Sequence, residues 1–75
     1  MLKLSWKDYG FENPFEMVKA AYVADEKVMI TLTGEKKNRF AYVTSVTPTS
    51  ARVILDDATN EVILGEKDVS WVSRF

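Results

Sequence analysis

The fold of this chain is indicated most directly by the stretch Lys27-Val28-Met29-Ile30-Thr31-Leu32-Thr33. Its apolar residues Val28, Ile30 and Leu32 stand at every second position. A period of two is typical of a β-strand that buries one face and turns the other toward water. The stretch therefore predicts a half-buried strand over residues 27–33.

Four segments downstream have the same character and are separated by short turns. They cover residues 39–47, 51–56, 61–64 and 69–73, and turn-forming residues such as Pro48 and Asn60 lie between them. Residues 65–68 predict a tight break, such as one 3₁₀ turn. Short strands joined by turns of a few residues favour an antiparallel meander.

Several of these strands carry apolar residues on both faces, for example Ile54 beside Val53 and Val72 beside Trp71. A curled sheet covers one such face and removes most unpaired edges, whereas a flat sheet does neither. We therefore expect a mainly β fold, a small closed five-stranded antiparallel barrel of the SH3 type. Its predicted core consists of Val28, Ile30, Leu32, Phe40, Tyr42, Val53, Leu55 and Trp71.

A helix signal precedes the strands. Asn13 is a favoured N-cap, and Pro14 suits the first helical position. The pattern predicts that the only substantial helix lies within residues 13–24. Its predicted apolar face consists of Phe15, Val18 and Tyr22, with Met17 and Ala21 beside them. A helix this short is unstable alone in water, so it has to dock on the sheet.

The 75 residues predict one domain, in which residues 1–24 form an aromatic arm and the helix and residues 27–75 form the barrel. A hydrophobic fraction of 47% is sufficient for one core. No apolar run approaches the length of a membrane span, and the N-terminus is charged too early for a secretory signal. We expect no membrane association and, since cysteine is absent, a cytoplasmic location.

The composition points away from catalysis and from bound cofactors. Without cysteine or histidine, the chain lacks thiolate ligands and the side chain best suited to proton transfer near neutral pH. Asp56, Asp57 and Glu61 surround the third turn, where carboxylates usually bond to the local backbone rather than to a cation. We expect a non-enzymatic protein with no catalytic residue, no cofactor and no metal.

One loop is basic although the net charge of the chain is only -1. Lys36, Lys37 and Arg39 lie close to Phe40 and Tyr42, an arrangement that could contact phosphates and stack a base. The alternative is a solvated hairpin tip whose charges oppose aggregation. Because no global positive charge supports it, nucleic-acid binding through this loop is expected to be weak.

The N-terminal arm is rich in aromatic residues. Trp6, Tyr9 and Phe11, together with Trp71 on the last strand, would form a protein-binding patch if they were exposed. Alternatively, the arm folds back on its own barrel and completes a core that is too small to close otherwise. If the arm or the last strand instead pairs with a second chain, a homo-oligomer results.

Four segments share the layout of a known family of small barrels. They are Pro14-Phe15-Glu16-Met17-Val18, Val28-x-Ile30-x-Leu32-x-Gly34, Arg52-Val53-Ile54-Leu55-Asp56-Asp57-Ala58 and Val62-Ile63-Leu64-Gly65 followed by Val69-x-x-Val72. This layout resembles the Sm and LSm family, in which an N-terminal helix precedes five bent strands. The glycine of that family usually stands one place later than Gly34 does.

The resemblance implies an SH3-type barrel but does not extend to the family's RNA site. Sm proteins hold uridine-rich RNA with an Asp and an Asn before the third strand and with an Arg-Gly after the fourth. Here the first of these places is Thr47-Pro48-Thr49-Ser50, and the arginine position is Leu64. The RNA-binding residues are therefore not carried over.

The segment Asp68-Val69-Ser70-Trp71-Val72 is similar to the ending of the YolD-like family of bacterial and phage proteins. That resemblance implies an accessory protein of phage or mobile-element origin. From the sheet edges and the aromatic arm, we expect an interaction module that binds a protein partner or its own copies. The alternative is a nucleic-acid-binding barrel that uses the loop at residues 36–39.

Overall fold

The computed structural model describes residues 4–74. Its elements are the helix α1 (Pro14–Ala24), the strands β1 (Lys27–Leu32), β2 (Asn38–Val46), β3 (Ser50–Leu55), β4 (Glu61–Gly65) and β5 (Val69–Ser73), and a 3₁₀ turn at Glu66–Asp68. Each predicted element is present within a residue or two of its expected bounds, and no second long helix occurs between residues 27 and 74. Residues 1–3 and 75 of the predicted domain lie outside the described residues.

The five strands form a single antiparallel sheet in the order β4-β3-β2-β1-β5. The first four strands follow one another as a meander, and β5 returns to pair with β1. The mainly β fold with one short helix is confirmed. The closure of the barrel is not, because β4 and β5 form no ladder with each other in the part of the chain that the structure describes.

Local interactions fix both ends of α1. The side chain of Asn13 accepts a hydrogen bond from the Glu16 N–H at 3.0 Å, and Pro14 occupies the first helical turn as predicted. At the other end Asp25 adopts the left-handed conformation with a φ of 55°, which stops the helix. At eleven residues, α1 is much shorter than a membrane-spanning helix, and within residues 4–74 no helix has the length and apolarity to cross a membrane.

The core lies between α1 and the inner face of the sheet. The helix contacts β2, β5 and β1. The buried apolar side chains are Phe15, Met17, Val18, Ala21, Val28, Ile30, Ala41, Val43, Ala51, Val53, Leu55, Leu64, Val69 and Val72. Leu32 is half-buried and packs against this cluster. On the helix, Ala21 rather than Tyr22 completes the buried face, so the predicted inward position of Tyr22 is wrong.

The predicted inward face of β2 is also wrong. Phe40 and Tyr42 are 47% and 37% exposed, whereas Ala41 and Val43 are buried. The helix packs over this strand. The smaller side chains fit beneath the helix, and the aromatic rings take the outer face of the sheet.

The position of Trp71 is a further correction. Its side chain is 39% exposed, and Val69 and Val72 supply the buried apolar positions of β5. The register shifts between Thr31, which lies opposite Trp71, and Leu32, which lies opposite Val69. An irregularity of this kind inserts an extra residue and changes which side chains face inward.

We expect Leu55→Ala to lower the free energy of unfolding by about 2–5 kcal/mol, because it empties a buried leucine site. A matched substitution at an exposed strand position, Ile63→Thr, is expected to change it by only about 0.5 kcal/mol. Urea denaturation of both variants measures the difference. A loss of less than about 1 kcal/mol for Leu55→Ala would contradict its place in the core.

Candidate functional site

The two outermost strands of the sheet, β4 and β5, differ in how their outer edges are covered. On β5 the Trp6 N–H donates to the Val72 carbonyl at 2.9 Å, and the Arg74 N–H donates to the Leu4 carbonyl at 2.8 Å. Between these bonds Ser5 lies opposite Ser73 in an antiparallel bridge. Residues 4–6 of the same chain therefore cover the C-terminal end of the outer edge of β5, at residues 72–74.

The edge of β4 has no such cover. Among residues 4–74, β4 pairs only with β3, so one side of its backbone remains unpaired within the sheet. An unpaired edge is a template for the addition of another strand. We call the outward backbone groups of Glu61–Gly65, with the exposed side chains that flank them, the β4 edge.

The register of β3 identifies which backbone groups form the β4 edge. The Asp56 N–H donates to the Phe40 carbonyl on β2 at 2.8 Å. Because backbone groups alternate in direction along a strand, Val53 then faces β4. Val62, which lies opposite Val53, faces back toward β3.

The outward groups of β4 are consequently those of Glu61, Ile63 and Gly65. One of them is already used within the chain, since the Gly65 N–H donates to the Asp68 carboxylate at 2.8 Å. The side chain of Ile63 is 62% exposed, and that of Val62 is exposed as well. The β4 edge thus offers the backbone N–H and carbonyl of Ile63 beside apolar side chains.

The structure places the aromatic arm residues mainly against their own chain. Trp6 and Phe11 are half-buried and pack against the core. Tyr9 is exposed, lies 6.1 Å from Phe11 between ring centroids, and accepts a hydrogen bond from Arg74 at 3.2 Å. Trp71 is 39% exposed and lies opposite Thr31 of β1.

A shallow apolar pocket of about 160 Å³ lies beside the arm. Its apolar lining includes Phe11, Met17 and Val28, and Arg74 and Glu26 also line it. Arg74 and Glu26 form an ion pair at 3.4 Å. The two charges at this pocket therefore neutralise each other.

The charges of the predicted basic loop are partly neutralised. Arg39 pairs with Glu35 at 3.0 Å and with Asp56 at 3.7 Å. Of the three predicted cations, Lys36 and Lys37 form no ion pair with the described residues and project from the exposed β1–β2 loop. The structure thus brings the basic loop close to Phe40 but leaves it two unpaired positive charges.

Sequence reasoning did not select any residue of β4 as a site residue. A signal was present, since Val62-Ile63-Leu64 is an apolar run on a strand that contains neither lysine nor proline. Edge strands commonly carry those residues as protection against pairing. The expected barrel closure concealed this signal, because a closed barrel has no edge at β4.

Within residues 4–74, no group of three or more acidic side chains is placed so that it could hold a metal ion. What the arrangement can do chemically is form backbone hydrogen bonds and cover apolar side chains. Searches with this chain against protein-family models, curated proteins and solved structures gave no significant match.

The outer face also contains an electrostatically coupled pair. The Tyr42 hydroxyl donates to the Asp25 carboxylate at 2.8 Å. This hydrogen bond and the negative charge of Asp25 raise the pKa of Tyr42 above its ordinary value, because both favour the neutral phenol.

We expect Asp25→Asn to lower the pKa of Tyr42 toward its ordinary value, since the substitution removes the charge. Asparagine also tolerates the left-handed backbone at this position. Asp57→Asn is a matched control, because Asp57 has a similar φ of 59° but pairs with Lys27. NMR titration of the tyrosine ring carbons measures both variants, and an unchanged Tyr42 titration in Asp25→Asn would contradict the assigned coupling.

Proposed function

We propose that this chain is a non-enzymatic protein-interaction module whose binding site is the β4 edge. The site adds an extended segment of another polypeptide as a further strand of the sheet. The observation that supports this proposal is the difference between the two edges. Residues 4–6 cover the end of the β5 edge at residues 72–74, whereas β4 is uncovered within the described chain.

The chemistry of the β4 edge suits this mode of binding. In strand addition, backbone hydrogen bonds supply affinity and alternating side chains supply specificity. Ile63 offers its backbone groups outward, and the exposed Val62 and Ile63 offer apolar contacts on opposite faces of the sheet. The proposed ligand is therefore an extended segment with apolar side chains rather than a helix or a small molecule.

We further propose a cytoplasmic setting, which the cysteine-free composition favours. An accessory role in a bacterium, a phage or a mobile element is part of the same proposal. Its support is the similarity of residues 68–72 to the YolD-like ending.

Ile63→Pro tests the proposed function. Proline removes the outward N–H of residue 63 but no hydrogen bond to β3, and edge strands tolerate it when that N–H faces solvent. Ile63→Thr keeps the N–H and the β-branched shape. The ligands are peptides selected on the wild-type protein from a displayed random library. Compared with the wild type, Ile63→Pro is expected to bind them with an affinity about tenfold or more lower. Ile63→Thr is expected to bind them only a few-fold more weakly, about the loss of one apolar contact.

Titration calorimetry or fluorescence anisotropy with the selected peptides measures these affinities. Circular dichroism and thermal unfolding of both variants serve as controls for the fold. A library that yields no binding peptide, or peptides that bind Ile63→Pro as tightly as the wild type, would contradict strand addition at the β4 edge.

A second candidate function is nucleic-acid binding on the outer face of the sheet. The observation that favours it is the exposure of Phe40 and Tyr42 on β2, next to the loop that carries Lys36 and Lys37. Exposed aromatic rings on a sheet can stack bases. The pairing of Arg39 with two carboxylates weighs against this candidate, because it leaves little positive charge for phosphates.

We expect single-stranded oligonucleotides to bind at most weakly and to dissociate as salt is raised, since phosphate contacts release counterions. Fluorescence anisotropy at several salt concentrations measures this binding, with Lys36→Ala and Lys37→Ala combined as the test variant. Tight binding at physiological salt that is lost when Lys36, Lys37 and Arg39 are neutralised would favour nucleic acid over protein as the ligand.

A further inference from the structure

We propose that the segment added at the β4 edge is the β4 strand of a second copy of this chain. The two strands run antiparallel, and a two-fold axis passes between the two Ile63 residues. This inference rests on the proposed function and names its partner. It predicts a closed symmetric dimer in which one sheet continues across both chains.

The backbone directions allow this register. Ile63 directs its N–H and carbonyl outward. Two Ile63 residues on the axis can therefore form a narrow antiparallel pair, in which the N–H of each residue donates to the carbonyl of the other. In the same register Glu61 lies opposite Gly65 of the second copy. The carbonyl of that glycine opens its own 3₁₀ turn at Glu66–Asp68, and its N–H stays with its own Asp68, so the central pair of Ile63 residues supplies the intermolecular hydrogen bonds.

Side-chain charge and free backbone groups favour this register over its neighbours. An axis at Glu61 would place two carboxylates directly opposite each other, which is destabilising in a sheet. An axis at Gly65 would centre the pair on N–H groups that Asp68 already occupies. An axis at Val62 would let Glu61 and Ile63 exchange hydrogen bonds across the two chains, but it would set the apolar Ile63 side chain opposite the Glu61 carboxylate. An axis at Leu64 would pair Ile63 with the Gly65 N–H that Asp68 already holds. Among residues 61–65, the axis at Ile63 is therefore the one that sets apolar side chains opposite each other at its centre.

The side chains are self-complementary in the same register. The two Ile63 side chains become neighbours on the outer face, where β-branched pairs stabilise adjacent strands. On the inner face Val62 lies opposite Leu64 of the second copy, which covers the exposed part of Val62. The Glu61 carboxylate accepts a hydrogen bond from Thr44 of its own chain, so its charge is held over its own sheet.

The covered edge of β5 argues against a head-to-tail assembly of β4 onto β5. Where it used residues 72–74, such an assembly would have to displace residues 4–6 and break the bonds from Trp6 to Val72 and from Arg74 to Leu4. Pairing β4 with β4 breaks no bond within the described chain. The self-complementary register therefore favours a second copy at this edge.

Light scattering coupled to size exclusion, over a concentration series, tests the dimer. The wild-type chain is expected to shift from one chain to two as concentration rises. Ile63→Thr is expected to weaken the dimer only a few-fold, because it keeps the N–H and loses only apolar contact. Ile63→Pro is expected to weaken it about tenfold or more, because each chain then lacks the central donor. A dimer that persists unchanged in Ile63→Pro overturns the inference, since it must use another surface.

Cysteine cross-linking tests the register and remains informative if Ile63→Pro folds poorly. The chain has no cysteine, so Ile63→Cys introduces a single thiol. Residues that form a narrow antiparallel pair have Cα atoms about 5.5 Å apart, within the range that a disulfide spans. Mild oxidation is expected to link Ile63→Cys chains much faster than chains with Val23→Cys, an exposed control position on α1.

Equal cross-linking rates at the two positions, or a wild-type chain that stays monomeric to high micromolar concentration, overturn the self-pairing. The peptide-library experiment then decides separately whether the β4 edge binds foreign segments. If no dimer forms but peptides still bind in a way that depends on Ile63, only this inference is rejected. Failure of both rejects the proposed function as well.

Discussion

The side chain of Val18 on α1 and those of Ile30, Val53 and Val72 on the sheet are the largest that are completely buried. They belong to one cluster, so the helix and the inner face of the sheet exclude water from each other. Each such aliphatic side chain contributes about 1.5–3 kcal/mol on burial. Neither element is expected to be stable alone, because an eleven-residue helix is marginal in water and the bare sheet would expose its apolar face.

This packing explains where sequence reasoning succeeded and where it failed. The helix and the five strands were predictable because their signals are local: the cap at Asn13, the alternation around Ile30 and the turn residues between strands. The inward face of β2 was not, because Phe40 and Tyr42 alternate with Ala41 and Val43, and both sets are apolar. Residue size favoured the aromatic pair as core, but the space beneath α1 favoured the smaller pair. A one-residue slip of this kind reverses every side chain of a strand.

The candidate site was harder to predict than the fold for a related reason. Aromatic and basic residues such as Trp6 and Lys36 are visible in the sequence whether or not they meet a partner. An open edge is instead a property of the whole sheet, and it depends on strand order and on closure. The unprotected apolar run at Val62-Ile63-Leu64 becomes informative only once β4 is known to be an outermost strand. The cover of β5 likewise depends on a single bridge between Ser5 and Ser73, for which the sequence contains no periodic signal.

The cover of β5 also limits what the β4 edge can build. A sheet with two free edges can add copies at both sides and grow into a ring or an open filament, depending on the angle between copies. Residues 4–6 occupy the end of the β5 edge at residues 72–74, so the β4 edge is the more open of the two in the described chain. If it pairs with the same edge of a second copy, as proposed above, the contact is two-fold and closed. The N-terminal arm therefore packs Trp6 and Phe11 on the core and also covers the end of the β5 edge, where it blocks the addition of a further strand.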